Sequence, residues 1–292
     1  MESKDKIPLA DTNRRDFLKR ATLGVAAVLV SPVIGIAEKI SPSKLKEKIK
    51  YEQFVLDQVN KIKEIIIEQR YDEILSNPYL VYCLYYSRTF LGQISDPKNQ
   101  EYVSEKIIGS VAHLVTPEFQ AQVILALEKQ TRNEESLKNK RISTNEIMPL
   151  KSFDFGKGEN HEGAVDLFTD ELSPVYGMGS GLVVVAENGW SPDDESSTSS
   201  IRGGNTVIVF NYLTEEFYRY AHLDRVVVSP GELIMEGETL GTVGHTGKTA
   251  SLPGHGQHLH LEIRKYLGGK NKNQSPSTNE LKKQLKNLKY TT

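Results

Sequence analysis

The sequence predicts an α+β chain in which a small N-terminal helical domain is followed by an all-β domain of antiparallel sandwich or barrel-like type. Three observations carry that reading. From Ser41 to about Asn133 glycine nearly disappears and apolar residues recur at three- and four-residue steps, the period of amphipathic helices. After Pro149 short β-type runs alternate with glycine, and no helical period separates them. The chain has 292 residues, 38% apolar and 25% charged, enough for one large domain or two small ones.

In chain order, the first element lies outside the fold. Asn13-Arg14-Arg15-Asp16-Phe17-Leu18-Lys19 precedes an apolar run from Ala21 to Ile36, broken by Ser31-Pro32 and closing on Gly35-Ile36-Ala37. A positive start, a short apolar stretch and a small-x-small end describe a cleavable export signal, and the paired arginines resemble the twin-arginine type. The run falls short of the roughly 20 apolar residues that a membrane span needs. Residues 1–37 are therefore read as a signal cut near Ala37, leaving a soluble periplasmic protein with no stable membrane span. The resemblance to the twin-arginine type implies export of an already folded chain, so that a metal could be loaded before transit. Cys83 is the sole cysteine, which excludes an intramolecular disulfide. A net charge of −2 gives no basis for a nucleic-acid partner.

Residues 38–148 form the expected helical domain. Tyr51, Phe54, Val55, Val59, Ile62 and Ile66 make one stripe between Lys44 and Gln69. Ser76-Asn77-Pro78 opens a second helix running to about Phe90, and two more span Tyr102 to Leu114 and Pro117 to Glu128. Tyr79, Tyr82, Tyr85 and Tyr86 could stack on glycans, but aromatics at helical spacing more often fill cores. His113 reads as a helix-end residue. The charged run Thr131 to Ser143 reads as a solvated linker or helix end.

Residues 149–267 supply the strands: Val165–Phe168, Pro174–Tyr176, Leu182–Ala186, Thr206–Phe210, Phe217–His222, Glu238–Val243 and His258–Lys265. Between them Glu187 to Asn205 is too polar for a core and reads as an inserted loop. Its trio Asp193, Asp194 and Glu195 lacks calcium-loop spacing. Residues 268–292 are basic and read as a solvated tail, within which a short helix could start at Ser277 or Thr278.

The chemistry concentrates in GHGQHLHLEIR, Gly254 to Arg264. Residues two apart in a strand share a face, so His258 and His260 stand together while Leu259, Leu261 and Ile263 face the other way. On their own they could be two polar residues on a solvated face. His161 and Asp166 in NHEGAVDLF, and His222 in FYRYAHLDR, complete the inventory of a catalytic zinc site: three N/O ligands, a fourth position left to water, and imidazoles to spare for proton transfer. Simple alternation puts Tyr218 and Tyr220 on the face of His222, lining a groove or packing beneath it. His245 and His255, in glycine turns, read as exposed bystanders.

The order HEGAVDLF, SPVYGMGSGLVV, YRYAHLDRVVVSPGELIMEGETLGTVGHTG and HLHLEI resembles the lysostaphin-type, or LytM-like, zinc metallopeptidases, which are murein endopeptidases. The likeness covers about Phe153 to Tyr266. His161 and Asp166 are five apart, where the family usually has four, and Gln257 replaces a frequent proline. The resemblance implies that His161, Asp166 and His260 bind one zinc ion per chain, while His222 and His258 line the site. One of that pair would take the proton of the attacking water, and the other would stabilise charge or protonate the leaving amine; the sequence assigns neither role.

It further implies a periplasmic endopeptidase acting on stem or cross-bridge peptides of peptidoglycan, with the bond cut set by groove shape. The helical domain would be a docking or regulatory element for a partner protein, and could cover the groove until that partner moves it. A second reading is a family member without activity that activates another wall hydrolase. The complete ligand set favours the enzyme. A third, a carbohydrate- or lipid-binding β-module, leaves the His/Asp set without a purpose.

Overall fold

The structure is a computed structural model, and it describes residues 42–86, 88–100, 103–156, 163–192, 203–266 and 275–290. The export signal expected at 1–37, the expected ligand His161 and the acidic trio Asp193, Asp194 and Glu195 lie outside the described residues. The chain divides into two compact units, Met1–Ile49 and Lys50–Thr292. Of the first, only the opening turns of helix α1 (Pro42–Glu68) are described. Among the described residues no helix is long and apolar enough to cross a membrane.

The expected helices are present. In α1 the buried stripe is Val55, Val59, Ile62 and Ile65. Helix α2 (Pro78–Tyr85) starts where Asn77 accepts a hydrogen bond from the Tyr79 amide at 3.1 Å, with Pro78 in the first turn where no amide is needed. Tyr79, Tyr82, Tyr85 and Tyr86 are all buried, so the tyrosines are core. Short helices α3 (Arg88–Ile94) and α4 (Val103–Val111) follow. Helix α5 (Pro117–Lys138) is capped by Thr116, and it runs through most of the stretch read as a solvated linker or helix end, which is thus a helix end, closing on Asn139 in the left-handed region. His113 stands in a single turn after α4, at a helix end as expected.

The C-terminal part is one antiparallel sheet: β1 (Asp154–Phe155), β2 (Ala164–Phe168), β3 (Pro174–Tyr176), β4 (Gly181–Glu187), β5 (Asn205–Asn211), β6 (Glu216–Val226), β7 (Leu233–Ile234), β8 (Thr239–Val243) and β9 (His258–Lys265). The order is β1-β2-β9-β6-β5-β4-β7, with β8 joining β6 and carrying β3. The sheet has a core on each face. On one, Leu182, Val184, Val185, Ile208, Phe210 and Phe217 pack into a single cluster with the helical residues. On the other, Tyr218, Tyr220, Leu223, Leu259, Leu261 and Ile263 pack with Met148, Leu150 and the C-terminal helix.

That last helix, α6 (Thr278–Lys286), corrects the reading of the C-terminus as a solvated tail. Ser277 and Glu280 form a reciprocal cap, each side chain accepting from the other's backbone amide. Leu281 and Leu285, one turn apart, are fully buried against the sheet, and the Met148 amide donates to the Lys289 carbonyl at 2.9 Å. Among the described residues of this segment, Lys283, Lys286 and Lys289 are exposed. The segment 187–205, read as too polar for a core, likewise has buried ends. Glu187 accepts a hydrogen bond from Tyr82 at 2.7 Å, and the Asn205 side chain donates to the Asp224 carbonyl at 2.9 Å.

Candidate functional site

Strand β9 lies between β2 and β6. Its alternation is as expected, with Leu259, Leu261 and Ile263 in one core and His258, His260, Glu262 and Arg264 on the opposite face. Asp166 pairs directly with His260 across β2 and β9, and directly paired residues point the same way. The Asp166 carboxylate therefore meets the ring, Oδ1 to Nδ1 2.7 Å. His258 is two residues back on the same face, its Nε2 3.9 Å from the same oxygen and its ring stacked 5.0 Å from that of Phe168.

His222 reaches this face by a different route. Tyr218 pairs with Ile263 and Tyr220 with Leu261, so both tyrosines belong to the core beneath the sheet. The Tyr218 hydroxyl donates to Glu146 and Glu216, and the Tyr220 oxygen accepts from the Met178 amide. Simple alternation would have placed His222 there too. Instead Val207 pairs with Tyr220 and Asn205 with Leu223, so that Ala221 and His222 together face the single residue Thr206. This is a β-bulge, and His222 takes φ 63°, in the left-handed region that favours glycine. The bulge turns its ring to the opposite side, 4.8 Å from the ring of His258 and 5.7 Å from that of His260. The expectation that Tyr218 and Tyr220 share the face of His222 is thus corrected.

The bulge is held by residues that the sequence did not single out. The His222 amide donates to the Gly203 carbonyl at 2.8 Å, and its carbonyl accepts from the Gly244 amide. Thr246 offers its carbonyl to His222 Nδ1 at 2.7 Å, donates its hydroxyl to the Leu223 carbonyl, and accepts from the Asn205 amide. The two loops meet so closely at Gly204 that a Cβ there would lie 2.4 Å from the Gly247 nitrogen. The only sequence signal for this was the glycine pair Gly203-Gly204 facing the turn Gly244 to Gly247.

Carbonyl oxygens only accept, so the bonds from Thr246 to His222 and from Gly256 to His258 place a proton on each Nδ1 and leave each Nε2 with its lone pair. Burial pushes the His222 pKa well below its usual value, with His260 and His258 acting in the same direction. Burial also lowers His258, against the raising effect of the Gly256 carbonyl and Asp166. Both rings are therefore neutral at neutral pH and able to accept a proton. His245 faces away, paired with Glu171 at the surface, and His255 is exposed.

Among the described residues no group of three His, Cys, Asp or Glu side chains has metal-holding geometry. Two donors of the expected set, Asp166 and His260, do converge, and one carboxylate oxygen with one imidazole nitrogen suits zinc by donor chemistry. The site is thus a His/Asp cluster on one face of an antiparallel sheet, with neutral imidazoles beside an acidic donor.

Residues 159–276 match the model of Peptidase family M23. The matched segment is about two fifths of the chain and leaves out the helical layer. Two similar proteins are the peptidoglycan DD-endopeptidases ShyB and ShyC of Vibrio cholerae serotype O1. They are 31% and 32% identical over 37% and 43% of this chain. The matched stretches cover only 21% and 24% of those proteins' own lengths. Among solved structures, the antimicrobial peptidase lysostaphin from Staphylococcus simulans aligns with 22% identity and a TM-score of 0.35, over 51% of this chain and 57% of that one.

Proposed function

We propose that this chain is a zinc-dependent endopeptidase that hydrolyses peptide cross-links of peptidoglycan outside the cytoplasm, in the periplasm after removal of residues 1–37. The observation that carries the reading is the convergence of Asp166 and His260 at 2.7 Å, with His222 and His258 on the same face. The family of the 159–276 segment and the names of the two Vibrio relatives support the substrate class.

In this reading residues 149–267 perform the chemistry, and His161, Asp166 and His260 hold one zinc ion. Such an ion supplies Lewis-acid activation of water and of the scissile carbonyl. The chain's own groups handle the protons. His222 and His258, neutral and bare at Nε2, are the bases: one takes the proton of the attacking water, and the pair returns a proton to the departing amine. Thr246 and Gly256 hold the two rings in the required tautomer, and Phe168 keeps the His258 ring in place. A regulatory protein would reach the site through the helical layer, which packs on the same face of the sheet.

The test is incubation of purified residues 38–292 with muropeptides of known linkage and mass analysis of the fragments, beside metal analysis of wild type and His260→Ala. Cleavage of a cross-link peptide bond, with zinc held by wild type and lost by the variant, is the expected result. A wild type that holds no zinc and cuts nothing would move the assignment to an activator of another wall hydrolase.

A further inference from the structure

On the side of the sheet away from the histidines lies a basic surface that the proposed reaction does not use. Helix α6 packs Leu281 and Leu285 into the core that holds Leu259, Leu261 and Ile263, so its outer side looks away from His258 and His260. Lys282, Lys283 and Lys286 lie on the remaining surface of α6, and Lys289 lies just past its end; the last three are exposed. Strand β1 joins this surface. The ammonium groups of Lys282 and Lys286 stand 5.7 Å and 5.6 Å from the centre of the Phe155 ring, and Lys282 donates to the Gly156 carbonyl at 3.2 Å. Tyr290, 56% exposed, follows the last lysine.

The neighbouring carboxylates are turned to other uses. Glu280 belongs to the cap of α6, its Oε2 accepting from the Ser277 amide at 2.8 Å. Glu146 accepts from Tyr218 at 2.9 Å and from Gln284 Nε2 at 2.6 Å. Asp154 pairs with Phe168, whose ring stacks on His258, so it belongs to the histidine side. Among the described residues none of the four lysines forms an ion pair. The helix dipole favours lysine in the last turn, at 283 and 286, but gives no reason for Lys282 or Lys289. Like charges three and four residues apart weaken a helix rather than support it.

The whole chain carries a net charge of −2, so attraction to an anionic surface has to come from a local face such as this one. Its place behind the sheet suits a surface other than the substrate. We propose that the outer side of α6, with Lys289 and Tyr290, is a docking surface for an anionic phospholipid bilayer. The ammonium groups meet lipid phosphates and the tyrosine ring sits at headgroup level, while the leucines of α6 stay in the core and the helix does not insert. Docked in this way, the chain presents His222, His258 and His260 on the side away from the bilayer. The proposal depends on neither the metal nor the activity.

The test is co-sedimentation of purified residues 38–292 with vesicles made of equal parts phosphatidylglycerol and phosphatidylcholine, beside vesicles of phosphatidylcholine alone. Leaving out residues 1–37 removes the apolar run Ala21 to Ile36 as a source of binding. One variant, Lys283→Gln/Lys286→Gln/Lys289→Gln, removes three exposed charges from the proposed face; a control, Lys61→Gln/Lys129→Gln/Lys138→Gln, removes three from the helical layer. A lysine beside an anionic surface multiplies affinity about fivefold. The first variant should therefore bind anionic vesicles about 10²-fold more weakly, the control should match wild type, and wild-type binding should fall steeply with added salt. Equal binding by wild type and the first variant, equal loss in both variants, or binding indifferent to phosphatidylglycerol overturns the proposal. So does a wild type that ignores anionic vesicles, and its retention on purified peptidoglycan would then assign the face to the wall. Circular dichroism verifies folding; if the triple variant does not fold, Lys289→Gln decides, with an expected loss of about fivefold and an adverse result of none.

Discussion

Removing residues 1–148 separates two views of the helical layer. If it were a lid, its loss would free the groove and raise activity. The structure gives it another part. Leu182, Val184, Val185, Ile208, Phe210 and Phe217 on the sheet share one core with Tyr82, Leu80, Ile107 and Leu127 of the helices, and all ten are nearly inaccessible to solvent. Full burial of one such side chain contributes about 1.5–3 kcal/mol, so exposing the six sheet residues forfeits about 9–18 kcal/mol. Reducing this by about 10–40% for a compact unfolded chain still leaves a loss as large as the entire stability of a typical domain, about 5–15 kcal/mol. Arg219 and Glu262, both buried under the helices, would be wetted as well. The truncated chain should lack a cooperative urea transition and should aggregate or bind a hydrophobic dye, with endopeptidase activity below that of residues 38–292. A soluble fragment that unfolds cooperatively and cuts muropeptides faster would refute the shared core and restore the lid.

Three further outcomes follow from individual residues. At position 222, with φ 63°, glycine escapes the cost that a Cβ meets in the left-handed region, so His222→Gly should be more stable than His222→Ala by about 1 kcal/mol in chemical denaturation. Both should lose about 10²–10⁴ in turnover, and equal stability of the two would mean that the bulge is not strained. Leu285→Ala, at a fully buried position of α6, should cost about 2–5 kcal/mol; a change near zero would return the C-terminus to a solvated tail. Cys83 is fully buried, and burial pushes its thiol up to about 12, so the native protein should resist thiol reagents at pH 8 and react only on unfolding; rapid labelling of the folded chain would contradict the packing of α2.

What the sequence disclosed and what it hid divide along one physical line. Period-two alternation is a local rule, so the order of residues in HLHLEI is enough to put His258 and His260 on one face of β9, and Leu259 and Leu261 on the other. Helical period and capping residues are local as well, which made Asn77-Pro78 and Thr116-Pro117 readable as helix starts. His222 broke the rule because its backbone sits where glycine is normally found, and no feature of FYRYAHLDR announces a left-handed histidine. A bulge depends on what the neighbouring strand and loops offer, here Thr206, Gly203 and Thr246, none of them near in sequence. Glu262 and Arg264 were visible in HLHLEIR, but that run does not contain what covers them. Only the tyrosines of α2, some 180 residues earlier, make them interior. The same dependence explains α6: Leu281, Leu285 and Leu288 form a readable stripe, but a stripe is core only if a sheet waits to receive it. The chain therefore gathers its candidate metal donors from a local pattern, and it holds them in place through contacts that the pattern does not contain.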